Sequence, residues 1–189
     1  MNRALPTHTL VNAMELIASG NHAMAEETLH ILMAANRGNK DVQLSIGQIF
    51  QDMAERRAKA GSHRKATTHK IREVQRLCNT ATGRFMNVLE AEPGNTNALV
   101  GIAAIAFVEE NKRRAFEYVR LALSASDNQS APAWELLGRL YKASNQPDLW
   151  RVCAFNAQMV KEGNFPAIKT QAAQPASGIV VNGQNLDTL

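Results

Sequence analysis

The sequence predicts an all-α protein, and three observations support that fold class. Aromatic residues make up only 5% of the chain and alanine is plentiful, which suits closely packed helices and argues against a β-sandwich. Apolar residues recur three and four positions apart, a spacing that places side chains on one face of a helix. Clusters of glycine, proline and asparagine separate these stretches. We therefore expect helical hairpins and no strand within residues 1–165.

Turn-forming residues delimit three helical hairpins of ordinary length. Gly20 marks the turn within the first hairpin. Pro132 and Pro147 stand in the first turn of the last two helices, where the missing N–H of proline costs nothing. The helices of these hairpins are predicted at residues 7–18 and 22–35, 97–108 and 112–124, and 132–143 and 147–162.

Small residues recur at a fixed interval along the predicted first helices. Ala13 and Gly47 are 34 residues apart, and Ala103 and Gly138 are 35 apart. A small residue on a helix face lets a second helix approach closely, so we expect these four positions at helix contacts. In three of the hairpins, the corresponding position of the second helix follows twelve residues later, at Ala25, Ala115 and Trp150.

The remaining hairpin is predicted to be longer than the others. From Gly47 to its second-helix counterpart Ala81 the step is 34 residues instead of twelve, so 22 residues are extra. Shared between two helices, the extra residues add almost three turns to each and project the hairpin by about 16 Å. We predict helices at 41–60 and 63–91; the alternative is a loop around 58–68 followed by ordinary helices.

The helical pattern fails after residue 165, which bounds the predicted domain at 1–165. Residues 166–189 are rich in glutamine, asparagine, alanine, glycine and serine, a composition typical of a flexible tail. The apolar residues at 179–181 form the only apolar cluster of this tail.

Two motifs relate the hairpins to a known repeat. Trp134, Leu137, Gly138 and Tyr141 follow the spacing W-x2-L-G-x2-Y, which places all four side chains on one helix face. The second motif, A-x3-F with a proline twelve residues after the alanine, is met by Ala81, Phe85 and Pro93.

In both motifs the chain resembles the tetratricopeptide repeat (TPR) family over residues 6–164. The resemblance implies a right-handed superhelical solenoid of about four helical hairpins, the second of them elongated. It also implies a protein–protein interaction scaffold that binds a peptide or helix of a partner in a concave groove. The implied groove residues are Val100, Ala104, Phe107, Val108, Glu135, Arg139 and Lys142.

Alternatives to this groove remain open. The first helix of the third hairpin is apolar on all sides, so its residues are equally consistent with burial between neighbouring repeats and the tail. Family members that clamp a peptide carboxylate use convergent Lys, Arg and Asn. Only Arg139 and Lys142 fit that role here, so we expect no carboxylate clamp.

Most of the basic character of the chain lies in the long hairpin. Residues 54–76 contain eight basic and two acidic side chains, a net charge of +6, whereas the whole chain carries +4. Such a surface could dock phosphate backbones, anionic lipid or an acidic protein, or could simply be solvated. No aromatic residue lies between the cations, so base stacking is not predicted. The candidate docking residues are Arg56, Arg57, Lys59, Arg64, Lys65 and Lys70.

No pattern in the sequence predicts catalysis. The five histidines lack metal-binding spacing, Cys78 and Cys153 are isolated, and glycine-rich phosphate loops are absent. No apolar run reaches membrane-spanning length, and the N-terminus does not resemble a signal peptide. We therefore predict a cytoplasmic adaptor or chaperone-like assembly factor that is not an enzyme and has no catalytic residue, metal or cofactor. The alternative is a nucleic-acid-associated protein that docks through residues 54–76.

Overall fold

The computed structural model describes residues 9–61, 68–165, 180–181 and 184–185. These residues form eight helices and one pair of two-residue strands. The described residues fall into two compact units, the first ending at Pro93 and the second beginning at Gly94. The elements are α1 (Leu10–Ala18), α2 (His22–Ala35), α3 (Lys40–Gly61), α4 (Thr68–Ala91), α5 (Thr96–Val108), α6 (Lys112–Ala125), α7 (Ala131–Ala143), α8 (Pro147–Lys161), β1 (Val180–Val181) and β2 (Gln184–Asn185).

The all-helical class is confirmed, and no strand occurs in the described residues between 9 and 165. The antiparallel pairing of β1 with β2 was not predicted, because the region was expected to be a flexible tail. The other residues of that predicted tail lie outside the described part of the chain. Each helix packs mainly on its neighbour in sequence, as α1 with α2, α3 with α4, α5 with α6 and α7 with α8.

The first unit contains the long hairpin that the spacing predicted. Its helices α3 and α4 have 22 and 24 residues, more than any other described helix. They run antiparallel, since Lys40 pairs with Glu92 at one end and Arg57 with Glu73 towards the other. The alternative, a loop around 58–68, is wrong for residues 58–61, because these residues are the last turn of α3. The predicted helices leave residues 61–62 for the turn, but Gly61 is the last residue of α3. Residues 62–67, which include the predicted start of the second helix at 63, lie outside the described residues.

Both predicted close-approach glycines lie at helix contacts. A Cβ added to Gly47 would lie 2.8 Å from the Phe85 ring, and one added to Gly138 would lie 3.2 Å from the Cys153 Cβ and the Trp150 ring. At the two corresponding positions, Ala13 and Ala103 are fully buried. Close packing between paired helices therefore depends on these small residues.

The aromatic motif lies in the core of the second unit, on one face of α7 as its spacing predicted. Trp134 is 1% exposed, and Leu137 and Tyr141 are buried beside it. The indole N–H of Trp134 donates a hydrogen bond of 2.9 Å to the Asn128 carbonyl, and its ring centroid lies 5.9 Å from that of Phe165. This bond satisfies the polar atom of a large buried side chain.

Three hairpin turns share one backbone geometry. Gly20, Glu110 and Asn145 each have positive φ, at 81°, 59° and 59°. In each turn the following residue donates its N–H to the carbonyl five positions earlier, which is the Schellman arrangement that ends a helix. These bonds, of 2.8 to 2.9 Å, run from Asn21 to Leu16, from Asn111 to Ala106 and from Gln146 to Tyr141.

We expect Glu110→Gly to stabilise the protein by about 1 kcal/mol, because glutamate is strained at positive φ and glycine is not. The midpoint of urea unfolding measures the gain. Asn145→Gly is the control, since asparagine already tolerates this conformation and its replacement should gain less. If Glu110→Gly were less stable than the original protein, the backbone at Glu110 would not be strained.

Candidate functional site

The predicted groove residues of α5 differ in their exposure. The helix begins at an N-cap, where the Asn95 side chain accepts a hydrogen bond of 3.0 Å from the Ala98 N–H. Ala104 is 3% exposed, so it offers almost no surface to a partner. The other three predicted residues on this helix, Val100, Phe107 and Val108, are half-buried and are therefore not fully enclosed by the protein's own helices.

Helix α7 brings one of its predicted residues onto the same surface. The guanidinium of Arg139 lies 5.0 Å from the centre of the Phe107 ring, which joins α7 to α5 by a cation–π contact. We call the surface formed by Val100, Phe107, Val108 and Arg139 the α5–α7 face. It combines half-buried apolar side chains with one exposed cation.

The two other α7 residues predicted for the groove contact α8 instead. Glu135 forms an ion pair with Lys161, and the Lys142 ammonium lies 5.1 Å from the centre of the Trp150 ring. All three α7 side chains are exposed, and the cation–π contact of Arg139 with Phe107 joins one of them to α5. The structure therefore brings together a smaller set of residues than the sequence predicted.

Several cations of the basic hairpin have acidic partners. Arg56 lies 2.7 Å from Asp52 and Lys59 lies 3.7 Å from Glu55, each one turn away on the same helix. Two further pairs cross between helices, Arg57 with Glu73 and Arg76 with Glu26. Asp52 and Glu26 lie outside residues 54–76, so a count along the sequence overestimates the local charge. Lys70 has no ion pair in the described part of the chain, and Arg64 and Lys65 lie outside it.

Neither cysteine side chain is accessible to a reactant from solvent. Cys78 and Cys153 are buried, and burial raises the pKa of the Cys153 thiol to about 12. A thiol with this pKa stays protonated near neutral pH and is a poor nucleophile. Within the described residues, no group of three or more His, Cys, Asp or Glu side chains could hold a metal ion. No described helix is both long and apolar enough to cross a bilayer.

Sequence analysis missed a cleft of about 440 Å³ in the first unit. It lies beside α2 and α4, and no residue of it had been predicted to bind. One signal was present in the sequence, because Gln43 falls at helical spacing on the apolar face of α3. The structure shows that this side chain is 1% exposed. A buried amide needs hydrogen-bond partners, and one of its partners lines the cleft. The residues of this α2–α4 cleft are His30, Met33, Ala34, Arg37, Arg84 and Asn87.

No protein-family model matches the chain. No curated protein matches it either. The likeness to tetratricopeptide repeats consequently rests on the spacing of residues in the sequence.

Proposed function

We propose that this chain is a non-enzymatic interaction protein, a scaffold, adaptor or chaperone-like assembly factor, that binds a peptide or helix of another protein. The binding surface in this proposal is the α5–α7 face. In the same proposal, the helical hairpins of the chain belong to a TPR-like solenoid, as the motifs of the sequence imply.

The spacing of the hairpin turns supports the repeat architecture. Glu110 and Asn145 are 35 residues apart and have the same φ and the same hydrogen bonding. Gly20 lies 90 residues before Glu110, which equals two periods of 34 plus the 22 extra residues of the long hairpin. Turns that recur in register with an apolar pattern are typical of repeat proteins, in which each unit packs on its neighbours.

One observation carries the binding proposal, the contact of Arg139 with a half-buried Phe107. Phenylalanine and arginine are both enriched at the centres of protein interfaces, where they supply apolar area and directional donors. An incoming apolar side chain would cover the rest of the Phe107 ring and the half-buried Val100 and Val108. Arg139 could then donate to a carbonyl or carboxylate of the partner. The partner that fits best is an amphipathic helix or peptide with apolar anchors.

We expect Phe107→Glu to weaken partner capture at least about tenfold, since a charge then replaces the apolar anchor. The measurement is affinity capture from the native cell with the full chain as bait, compared by quantitative mass spectrometry. Phe155→Glu is the matched control, because Phe155 is 59% exposed on α8 and lies outside the α5–α7 face. Circular dichroism should show equal helix content in both variants. Capture that survives Phe107→Glu, or that both variants lose equally, would refute the binding surface.

The alternative function is docking to a phosphate backbone through residues 54–76. It is favoured by Lys70 and Arg72, neither of which forms an ion pair in the described residues. It is weakened by the acidic partners of Arg56, Arg57 and Lys59. The dependence of affinity on ionic strength distinguishes the two functions. Binding to phosphates weakens steeply as the salt concentration rises, whereas binding of an apolar partner at the α5–α7 face should change little. Capture that disappears after nuclease treatment would favour this alternative.

A further inference from the structure

The positive charge of the α2–α4 cleft has no acidic counterpart in its lining. Two of its six lining residues, Arg37 and Arg84, are cationic, and none is acidic. Neither arginine forms an ion pair in the described part of the chain. Glu27 on α2 and Glu90 on α4 each lie three residues from a lining residue, His30 and Asn87 respectively, but do not line the cleft themselves. The same two helices do contain a matched pair elsewhere, since Arg76 lies 2.7 Å from Glu26.

A neutral side chain positions Arg84. Its Nη1 donates a hydrogen bond of 3.0 Å to the Oε1 of Gln43. Gln43 is itself 1% exposed, and its Nε2 donates a bond of 2.8 Å to the Asn36 carbonyl, so the amide is held at both ends. An amide orients the guanidinium without neutralising it. The positive charge of Arg84 therefore remains beside the cleft.

The hydrogen-bonding capacity of Arg84 is also incompletely used. Its Nε is buried and has no hydrogen-bond partner among the residues that the structure describes. A buried donor without an acceptor is costly, and more so when it belongs to a charged group. An anion in the cleft would offset the positive charge of this guanidinium.

We infer that the α2–α4 cleft binds the phosphate group of a small organic phosphate. Arginine side chains present planar N–H donors that match phosphate oxygens. His30, whose ring centroid lies 5.8 Å from that of Phe50, and Asn87 add further N–H donors to the same lining. Four donor groups suit the several oxygens of a phosphate better than the two of a carboxylate.

The size and lining of the cleft favour an organic phosphate over a bare ion. A volume of about 440 Å³ falls within the range of small-molecule sites. Met33 and Ala34 supply an apolar wall against which an organic group can lie. This inference concerns the first unit and is independent of partner binding at the α5–α7 face.

Titration of the full chain with phenyl phosphate at an ionic strength of about 0.15 M, where charges outside the cleft are screened, tests the inference. We expect saturable binding at one site by calorimetry, with shifts of the His30 ring and Asn87 amide signals in NMR spectra. Benzoate carries a similar ring but fewer oxygens, and should bind about tenfold more weakly, the effect of losing one charged hydrogen bond. Absence of saturable phenyl phosphate binding, or equal affinity for benzoate, would overturn the phosphate assignment.

Two isosteric substitutions on α4 locate the site. Asn87→Asp places a carboxylate in the cleft and should weaken phenyl phosphate binding at least about tenfold by repelling the anion. Asn79→Asp makes the same change of charge on the same helix, outside the cleft lining, and should leave affinity within about twofold. Both asparagines are exposed, so both variants should fold. If the two variants weaken binding equally, the anion is attracted diffusely to a basic surface and the α2–α4 cleft is not its binding site.

A pair of arginine variants gives an independent comparison. Arg37→Gln removes a cation of the cleft and should weaken binding about tenfold. Arg72→Gln removes an exposed cation from α4 outside the lining and should have little effect. If Arg72→Gln weakens binding as much as Arg37→Gln, the α2–α4 cleft is not the site.

Discussion

Trp134→Ala should destabilise the protein by about 3–5 kcal/mol, the usual cost of removing a large buried aromatic side chain. The indole is 1% exposed and its N–H bonds to the Asn128 carbonyl, so the substitution leaves both a cavity and a carbonyl without its donor. Urea unfolding followed by far-ultraviolet circular dichroism measures the loss. Trp150→Ala, at a residue that is 36% exposed, should cost less.

The loss should also be local. Trp134 lies in α7 and contacts Phe165, within the unit that begins at Gly94. Helices that pack mainly on their sequence neighbours lose stability near the altered contact first. Amide hydrogen exchange in Trp134→Ala should therefore accelerate in α5–α8 before α1–α4. Equal acceleration across all eight helices would show that the chain unfolds as one cooperative unit.

Gly47→Ala should destabilise the long hairpin by about 1–3 kcal/mol, although alanine normally favours a helix. The added Cβ would lie 2.8 Å from the Phe85 ring, which is fully buried and cannot move aside without disturbing the core. Thermal unfolding measures the change. Gly83→Ala is the matched control, because a Cβ at Gly83 meets nothing within 4 Å and should instead stabilise α4 by about 0.5–1 kcal/mol.

A second substitution tests whether the clash itself is responsible. Phe85→Leu alone removes part of a buried ring and should be destabilising. In the Gly47→Ala background it should cost less, because the smaller side chain makes room for the new methyl group. Additive effects of the two substitutions would contradict direct contact between these positions.

The candidate sites were predictable only in part. The resemblance to the repeat family grouped Phe107 and Arg139 among the predicted groove residues, and the structure places these two side chains in contact. The same pattern also selected Ala104, which is buried. Helical spacing gives the direction of a side chain around its own helix, but exposure also depends on how closely neighbouring helices pack. The α2–α4 cleft was missed because Arg37 and Arg84 are 47 residues apart and share no motif.

The sequence by itself determined the helices and the small residues at their contacts. Apolar periodicity and turn residues act over a few positions, so α5 and α6 begin within one residue of the predicted positions. The spacing from Gly47 to Ala81 likewise predicted the long hairpin. The helix positions follow from interactions local in sequence, and the long hairpin follows from the regular spacing of equivalent repeat positions; a linear pattern records both.

Only the tertiary structure decided which charges are balanced. Arg76 meets Glu26 from 50 residues away, whereas Arg84 meets the neutral Gln43 and keeps its charge. Ion pairing depends on distances of a few ångströms between separate helices, and these distances follow from helix packing. A count of charges along the chain therefore identified a basic segment, but the packing of α2, α3 and α4 determined where positive charge remains available to a ligand.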